Sequence, residues 1–278
     1  MGSIGVVTDS TADLPPGSER YGIAVVPLVV NWDSRTYRDK VDLTPKEFYH
    51  RLRDSKTLPK TGAPSLIAFE QAFRQQLERH DRVVCVTLAR RLSATYDVAC
   101  QAAQAVDRSR IFVVDSGSVT ICLGWLAERA AQLGQQGAEP NEIAHALQEM
   151  ASRMRIYAIL DTLEFLQRGG RIGRAQALAG TLLNVKPILL IKDGEVHPVE
   201  RVRTLPGAMR RLVQIVSGLG SVEGLAVMHG DAPERAAELE RQLQPHFPQL
   251  TIEHGETGTV IGTHAGPGSV AVPILLGR

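Results

Sequence analysis

The 278-residue chain lacks the signatures of most nucleotide- and metal-dependent enzymes. It has no GxxxxGK[ST] phosphate loop, no HExxH, no CxxC and no GxSxG. The segment GGRIG at 169–173 lacks the glycine spacing of a dinucleotide fingerprint and does not directly follow a clear strand. Charge of one sign is missing as well: 31 basic and 30 acidic side chains leave a formal charge of +1. No long basic run is present, which argues against a nucleic-acid binder. No segment approaches the roughly 20 apolar residues that span a bilayer. Met1–Ser10 has neither the basic start nor the apolar core of a secretory signal, so a cytoplasmic protein is expected. Cysteines number only three and are widely spaced: Cys85 within VVCV, Cys100 and Cys122 in helical patterns. Buried free thiols in a reducing compartment follow. Aromatics are scarce at 5%, but 44% hydrophobic residues suffice for a packed interior, and the length suits two modest cores.

What is present alternates between strand and helix patterns. Ser3–Thr8 reads as a buried strand that ends in the polar Asp9-Ser10-Thr11. Tyr21–Val30 reads as a second strand, at an edge or broken by Pro27, and Asp33–Asp39 as a hairpin arm. Thr44–Arg53 carries capping-box residues, with Pro45 at the first helical position and Glu47 three residues after the Thr. The loop Thr61–Ser65 precedes a helix in which Leu66, Phe69, Phe73 and Leu77 recur at helical spacing. Strands at Arg82–Leu88 and Ile111–Val114 alternate with a helix over Ser93–Val106 and one that follows the Asp115–Ser118 loop and runs through about Leu133. A further helix covers Pro140–Met150. This βα grammar predicts a largely parallel sheet covered by helices, with ligands bound where the strands end.

Past residue 154 the grammar changes. A strand at Arg155–Leu160 leads through a helical segment and GGRIG into an Ala/Leu-rich helix ending at Leu183. Pro187–Ile191 and Val196–Val202 flank Asp193-Gly194, a strong hairpin signal. Helices at Pro206–Leu219 and Pro233–Leu243 then alternate with strands at Gly224–Met228, Leu250–Glu253 and Ala271–Leu276. The expectation is an α/β protein of two domains: 1–154 with a mainly parallel sheet, and 155–278 with an antiparallel or mixed one.

Four polar positions stand out. Thr61 supplies a loop hydroxyl. Ser93, at a helix start, can bind an anion together with free backbone amides or can simply cap the helix. Arg171 lies within GGRIG, where glycines permit close approach and a guanidinium can grip a carboxylate or phosphate; a solvated surface turn fits equally. His264 opens His-Ala-Gly-Pro-Gly, either a shaped loop aiming a ring at a ligand or a plain turn. Together they suit a small anion. His229, His254 and His264 fall near strand ends or loops, but none is closely paired as zinc ligands usually are, and no metal is expected.

The order of motifs resembles the DegV family. The resemblance rests on VTDSTADL (7–14), the 61–65 loop, LSATY (92–96), VVDS (113–116), TLEFLQRGGRIG (162–173), LLNVKPIL (182–189) and HAGPG (264–268), spanning nearly the whole chain. It implies a fold similar to the dihydroxyacetone-kinase substrate domain, with a long-chain fatty acid such as palmitate, stearate or oleate held between the domains. It further implies a non-catalytic subunit that presents the carboxylate to a separate ATP-binding fatty acid kinase subunit and then holds the acyl-phosphate for phospholipid synthesis. No cofactor is implied, and membrane contact would be at the surface only. The family's head-group contacts fall on Thr61, Ser93, Arg171 and His264, with Ser65, Thr95, Ser116, Gly170 and Gly266 in support.

The chain departs from the family pattern in two places. The first loop commonly reads Thr-Ser-Gln-Pro-Ser, whereas Gly62 and Ala63 stand here; the serine motif commonly continues Ser-Gly-Thr, whereas Ala94 follows Ser93. Val26, Leu28, Ile159, Leu163, Leu166, Leu178, Leu182 and Leu183 are candidates for the wall of an acyl tunnel or for ordinary core. Two other readings stay open: a self-sufficient kinase or transferase using His264 as nucleophile or acid–base group, and a regulatory two-domain protein.

Overall fold

The computed structural model describes residues 2–178 and 185–278. The first domain runs β1 (Ile4–Asp9), β2 (Ala24–Val26), β3 (Val29–Trp32), β4 (Arg35–Arg38), α1 (Pro45–Asp54) and β5 (Lys60–Gly62). It continues through α2 (Leu66–Leu77), β6 (Arg82–Thr87), α3 (Thr95–Val106), β7 (Ile111–Asp115), α4 (Thr120–Gln135) and α5 (Pro140–Ser152). The second domain comprises β8 (Met154–Ile159), α6 (Glu164–Arg168), β9 (Lys186–Lys192), β10 (Glu195–Val202) and α7 (Leu205–Ser217). β11 (Val222–Gly230), α8 (Pro233–Leu243), β12 (Glu253–Glu256), α9 (Thr259–Ala265) and β13 (Ser269–Leu276) complete it.

The expected α/β architecture of two domains is present. β2-β1-β6-β7 form a parallel sheet. Alternate residues feed its two faces: Val7, Val83 and Cys85 pack with Phe69 and Phe73 of α2 and Ala99 of α3, while Val6, Val84 and Val86 pack with α4 and α5. The second sheet, β10-β9-β8-β13-β11-β12, is antiparallel except for the parallel β11–β12 pair. A small antiparallel sheet, β4-β3-β5, projects from the first domain.

Local chemistry explains most boundaries. Pro27 splits the expected 21–30 strand, so β2 becomes an edge of the parallel sheet and β3 joins the small one. The capping box at α1 forms as expected, with Thr44 accepting from the Glu47 amide and Glu47 from the Thr44 amide. Asp193 and Gly194 take positive φ of 53° and 71°, the conformation of a tight hairpin turn between β9 and β10. Three expectations fail. The Ala/Leu-rich segment after GGRIG is a 3-10 turn over Gly173–Leu178, and its remainder lies outside the described residues. β12 begins at Glu253 rather than Leu250. The loop or turn expected to open at His264 instead begins after Ala265, because His264 and Ala265 belong to α9.

The two domains share one apolar cluster, in which Leu28, Trp32 and Phe48 meet Ile156, Met228 and Val260. Buried charge crosses the same seam. Asp13 receives Lys40 Nζ at 2.5 Å, Thr120 Oγ1 at 2.7 Å and the Gly258 amide at 3.2 Å. Asp39 receives the amide and hydroxyl of Thr259 at 3.0 and 2.6 Å. Two carboxylates of the first domain therefore hold the start of α9. Lys40→Met should leave Asp13 without its cation while keeping an aliphatic stem. Breaking a buried pair costs about 3–5 kcal/mol, and the 33% exposure of Lys40 reduces this to about 2–3. Urea unfolding should show that loss, and the Asp13→Asn/Lys40→Met double variant should recover part of it.

Candidate functional site

A cavity of about 250 Å³ lies between the six-stranded sheet and the first domain. One face of that sheet lines it through Ile156, Ala158, Leu189, Ile191, Val196, Met228 and Ala271. Their strand neighbours Tyr157, Ile159, Ile188, Leu190 and Val227 turn the other way and pack with α7 and α8. Leu28, Leu88, Leu92 and Val119 close the cavity from the first domain. Val260, Ile261, His264 and Ala265 add a stripe of α9 that runs ~8 Å along it.

Three of the threonines that line the space have hydroxyls committed to other partners. Thr11 Oγ1 donates to Asp9 at 2.6 Å, Thr120 Oγ1 to Asp13 at 2.7 Å, and Thr257 Oγ1 to the His229 carbonyl at 3.2 Å. Thr120 is strained: a β-branched residue at φ 52°, a conformation that costs about 1–3 kcal/mol and is held by its bond to Asp13. No aspartate or glutamate lines the cavity among the described residues. The wall is consequently apolar over most of its extent.

Of the wall candidates, Leu28 and Leu166 line the cavity. Val26 packs beneath α2 and α3, and Leu163 and Leu178 lie behind Leu166. Ile159 misses by one residue and so faces the opposite side of the sheet. Leu182 and Leu183 lie outside the described residues.

Thr61, Ser93, Arg171 and His264 all line this one cavity, two from each domain. Thr61 sits on β5, paired with Val30 of β3, rather than in a loop. Its Oγ1 lies 2.9 Å from His264 Nε2, a contact across the seam. Ser93 does not cap α3, whose cap residue is Ala94. Instead Ser93 Oγ accepts the Thr95 amide at 3.2 Å and lies 2.8 Å from Thr95 Oγ1. If Thr95 donates, the Ser93 hydroxyl proton is free to serve a ligand. Arg171 donates Nε to the Leu92 carbonyl at 3.0 Å and Nη1 to the Gly169 carbonyl at 2.8 Å. Both acceptors are neutral, so the guanidinium is oriented while its charge stays uncompensated.

His264 lies in the last turn of α9 rather than opening a loop. Its Nδ1 is buried with no hydrogen-bond partner. The ring packs so closely on Gly169 that a Cβ at 169 would overlap Nδ1, and this glycine is needed for space. Burial, and behind it the Arg171 cation, push the imidazole pKa down to about 4. The ring is therefore neutral at pH 7.

The supporting residues lie elsewhere. Ser65 is exposed and caps α2 by accepting the Ala68 amide. Thr95 stands behind Ser93, and Ser116 closes its own turn through Ser118. Gly170 and Gly266 hold positive φ of 69° and 74° without lining the cavity. Gly266 is fixed by the Phe165 ring, which occupies the space a Cβ would need. Sequence reading missed Gly169, Thr120, Thr257, Val260 and Ile261. The last two were legible only as helical spacing with His264.

Depression of the His264 pKa fixes the sign of a pH effect. An unfolded histidine takes a proton near pH 6.5 and the folded one near 4, so the unfolded state binds more protons between those values. The contribution of His264 is complete above pH 6.5 and is lost as pH falls towards 4, about 3 kcal/mol in all. Asp9, raised by burial to about 6, works in the opposite sense between about 4 and 6. Subtracting the pH–stability curve of His264→Gln from that of wild type isolates the first effect. Wild type should lose about 3 kcal/mol relative to the variant between pH 6.5 and 4.

Comparison with known proteins places this geometry. A family model described as "uncharacterised protein, DegV family" matches residues 3–276. Protein DegV of Bacillus subtilis is 34% identical over 276 residues, covering 97% of this chain and 98% of its own. A DegV domain-containing protein of Caldanaerobacter subterraneus is 36% identical, with 98% of each chain covered. The structure of a DegV family protein from Thermus thermophilus, described as fatty acid binding, aligns with a TM-score of 0.90 at 32% identity over 99% of both chains. DegV from Bacillus subtilis, described as a fatty acid binding protein, aligns with a TM-score of 0.89 at 33% identity over the full length of both. The chain belongs to the DegV family.

Proposed function

We propose that this protein binds a long-chain fatty acid, with its acyl chain in the cavity and its carboxylate among Thr61, Ser93, Arg171 and His264. The observation that carries this reading is one largely apolar cavity in which Thr61, Ser93, Arg171 and His264 come together, with no acidic side chain among the described lining residues. Burying a chain of about 16 carbons at ~0.8 kcal/mol per CH₂ gives a gross gain near ~12 kcal/mol. Loss of translational freedom and chain ordering reduce that considerably. Hydroxyl donors beside a single cation hold a carboxylate without desolvating a second full charge. The structures described as fatty acid binding in Thermus thermophilus and Bacillus subtilis support the ligand class.

Lipid mass spectrometry of the gently purified protein should find a single-chain fatty acid, and delipidated protein should bind palmitate or oleate. Ser93→Ala should weaken binding by about 1.5–3 kcal/mol, one charge-assisted hydrogen bond. Retention of a nucleotide or sugar phosphate, with neither fatty acid bound, would overturn the reading. Unchanged affinity in a less stable Ser93→Ala protein would reduce Ser93 to a local structural role.

The finer proposal is a substrate-presenting subunit. A separate ATP-binding kinase phosphorylates the carboxylate, and this protein retains the acyl-phosphate for phospholipid synthesis. The ligand sits between a first domain of residues 1–154 and a second of 155–278. The carboxylate oxygen is the nucleophile, so Arg171 and His264 orient and stabilise rather than attack. Arg171→Ala should keep measurable fatty-acid binding and lose acyl-phosphate formation or retention when kinase and ATP are supplied, read by mass spectrometry of intact product. Wild type alone should form none. Partner-independent turnover abolished by His264→Ala in a folded variant would favour the alternative, a self-sufficient kinase or transferase.

A further inference from the structure

The head-group residues form an unfinished electrostatic arrangement. Arg171 and His264 are both built around Gly169, whose carbonyl receives Arg171 Nη1 at 2.8 Å while the imidazole rests on its Cα. Neither is answered by a protein carboxylate lining the cavity among the described residues. The imidazole has one hydrogen-bond contact, Thr61 Oγ1 at 2.9 Å, and one buried nitrogen without a partner.

The charged groups on elements packed against α9 do not alter this. On β5, Lys60 is exposed. On α6, Glu164 and Arg168 pair with each other at 2.8 Å, both more than half exposed. On α1, Tyr49 gives its hydroxyl to Thr257, and Arg51 and Arg53 pair with Asp33 and Asp231. At the far end of α9, Asp13 and Asp39 are engaged by Lys40, Gly258 and Thr259. Among the described residues, Arg171 is the charged group that acts on the ring.

We infer that an anionic head group enters this site together with a proton, which His264 takes up to become a second cation beside Arg171. The inference rests on the fatty-acid reading and deepens it. An arriving carboxylate opposes the field of Arg171 at the ring, and its negative charge favours the protonated imidazole. Protonation also settles the hydrogen bonding. Nε2–H must then donate to Thr61 Oγ1, so the Thr61 hydroxyl proton is released to the head group. No bond is made or broken except the N–H, and the proton comes from solvent. A head group of higher negative charge should draw the proton more strongly, so the site answers to the charge of its ligand.

Imidazole NMR of delipidated full-length protein, titrated from pH 4 to 8 with and without palmitate, tests this directly. In the empty protein the His264 resonances should stay those of the neutral ring down to about pH 4. With palmitate bound, the midpoint should rise by about 1–3 pH units, the effect of an opposite charge within contact range. Calorimetry at pH 6 in buffers of different ionisation enthalpy should register net proton uptake in wild type and none in His264→Gln, which keeps a polar partner for Thr61 but cannot titrate. Palmitate bound with an unmoved His264 midpoint, or proton uptake persisting in His264→Gln, overturns the inference and leaves the fatty-acid reading intact. Absence of palmitate binding removes both.

Discussion

The start of α9 is where the two domains depend on each other most. A helix of seven residues built from Thr, Val, Ile, Gly, His and Ala is not stable by itself, because nucleation is costly and these residues favour other conformations. Its first amides need acceptors, and Asp13 and Asp39 of the first domain supply them to Gly258 and Thr259. Those carboxylates, nearly inaccessible to water, need donors in return. Each side solves the other's desolvation problem. Burial still leaves its mark: the carboxyl of Asp39 is held above its ordinary range chiefly by desolvation.

The cavity follows from this clamp. With α9 fixed at its start, the Val260, Ile261, His264 and Ala265 stripe lies along the seam, and Tyr49 and Phe48 pack so close to Gly262 that no side chain fits there. The cavity-facing residues of β8, β9, β11 and β13 meet that stripe without filling the space between. The threonines at the wall are tied into the same polar network: Thr120 bonds Asp13, and Thr257 bonds Tyr49 and the His229 carbonyl. One network thus holds the domains together and turns hydroxyls away from the space, so polar atoms deliver an apolar wall.

Features governed by short stretches of sequence were legible; features set by the seam were not. The parallel sheet, the α1 capping box and the Asp193-Gly194 hairpin each follow from a few adjacent residues and appear as expected. Thr61, Ser93, Arg171 and His264 were singled out by residue type and loop context, and their common cavity is a tertiary fact. Their local settings were misjudged for physical reasons. Thr61 is a strand residue because β3 offers it a partner after Pro27 breaks the preceding strand. Ser93 lies one residue too early to cap α3. Ile159 has the right chemistry and the wrong parity, an error that only pairing register corrects. Gly169 gave no signal beyond its neighbour Gly170, since its role is to make room for a ring 95 positions away in sequence and close to it only in the folded chain.

A site can hold an anion by meeting it with ready-made positive charge or by leaving charge uncompensated until the ligand arrives. Around Gly169 the charge of Arg171 is left uncompensated. Arg171 is fixed by two neutral carbonyls, so its rotamer is set before binding and little side-chain entropy remains to be lost. Had a carboxylate fixed it instead, the ligand would have had to displace an ion pair. His264, neutral through burial and through Arg171, adds no repulsion that a single cation could not bear. The hydroxyls of Thr61 and Ser93 at the same wall are donors whose protons can rotate. Orientation without neutralisation leaves the residues around Gly169 with an unanswered positive charge rather than a finished salt bridge.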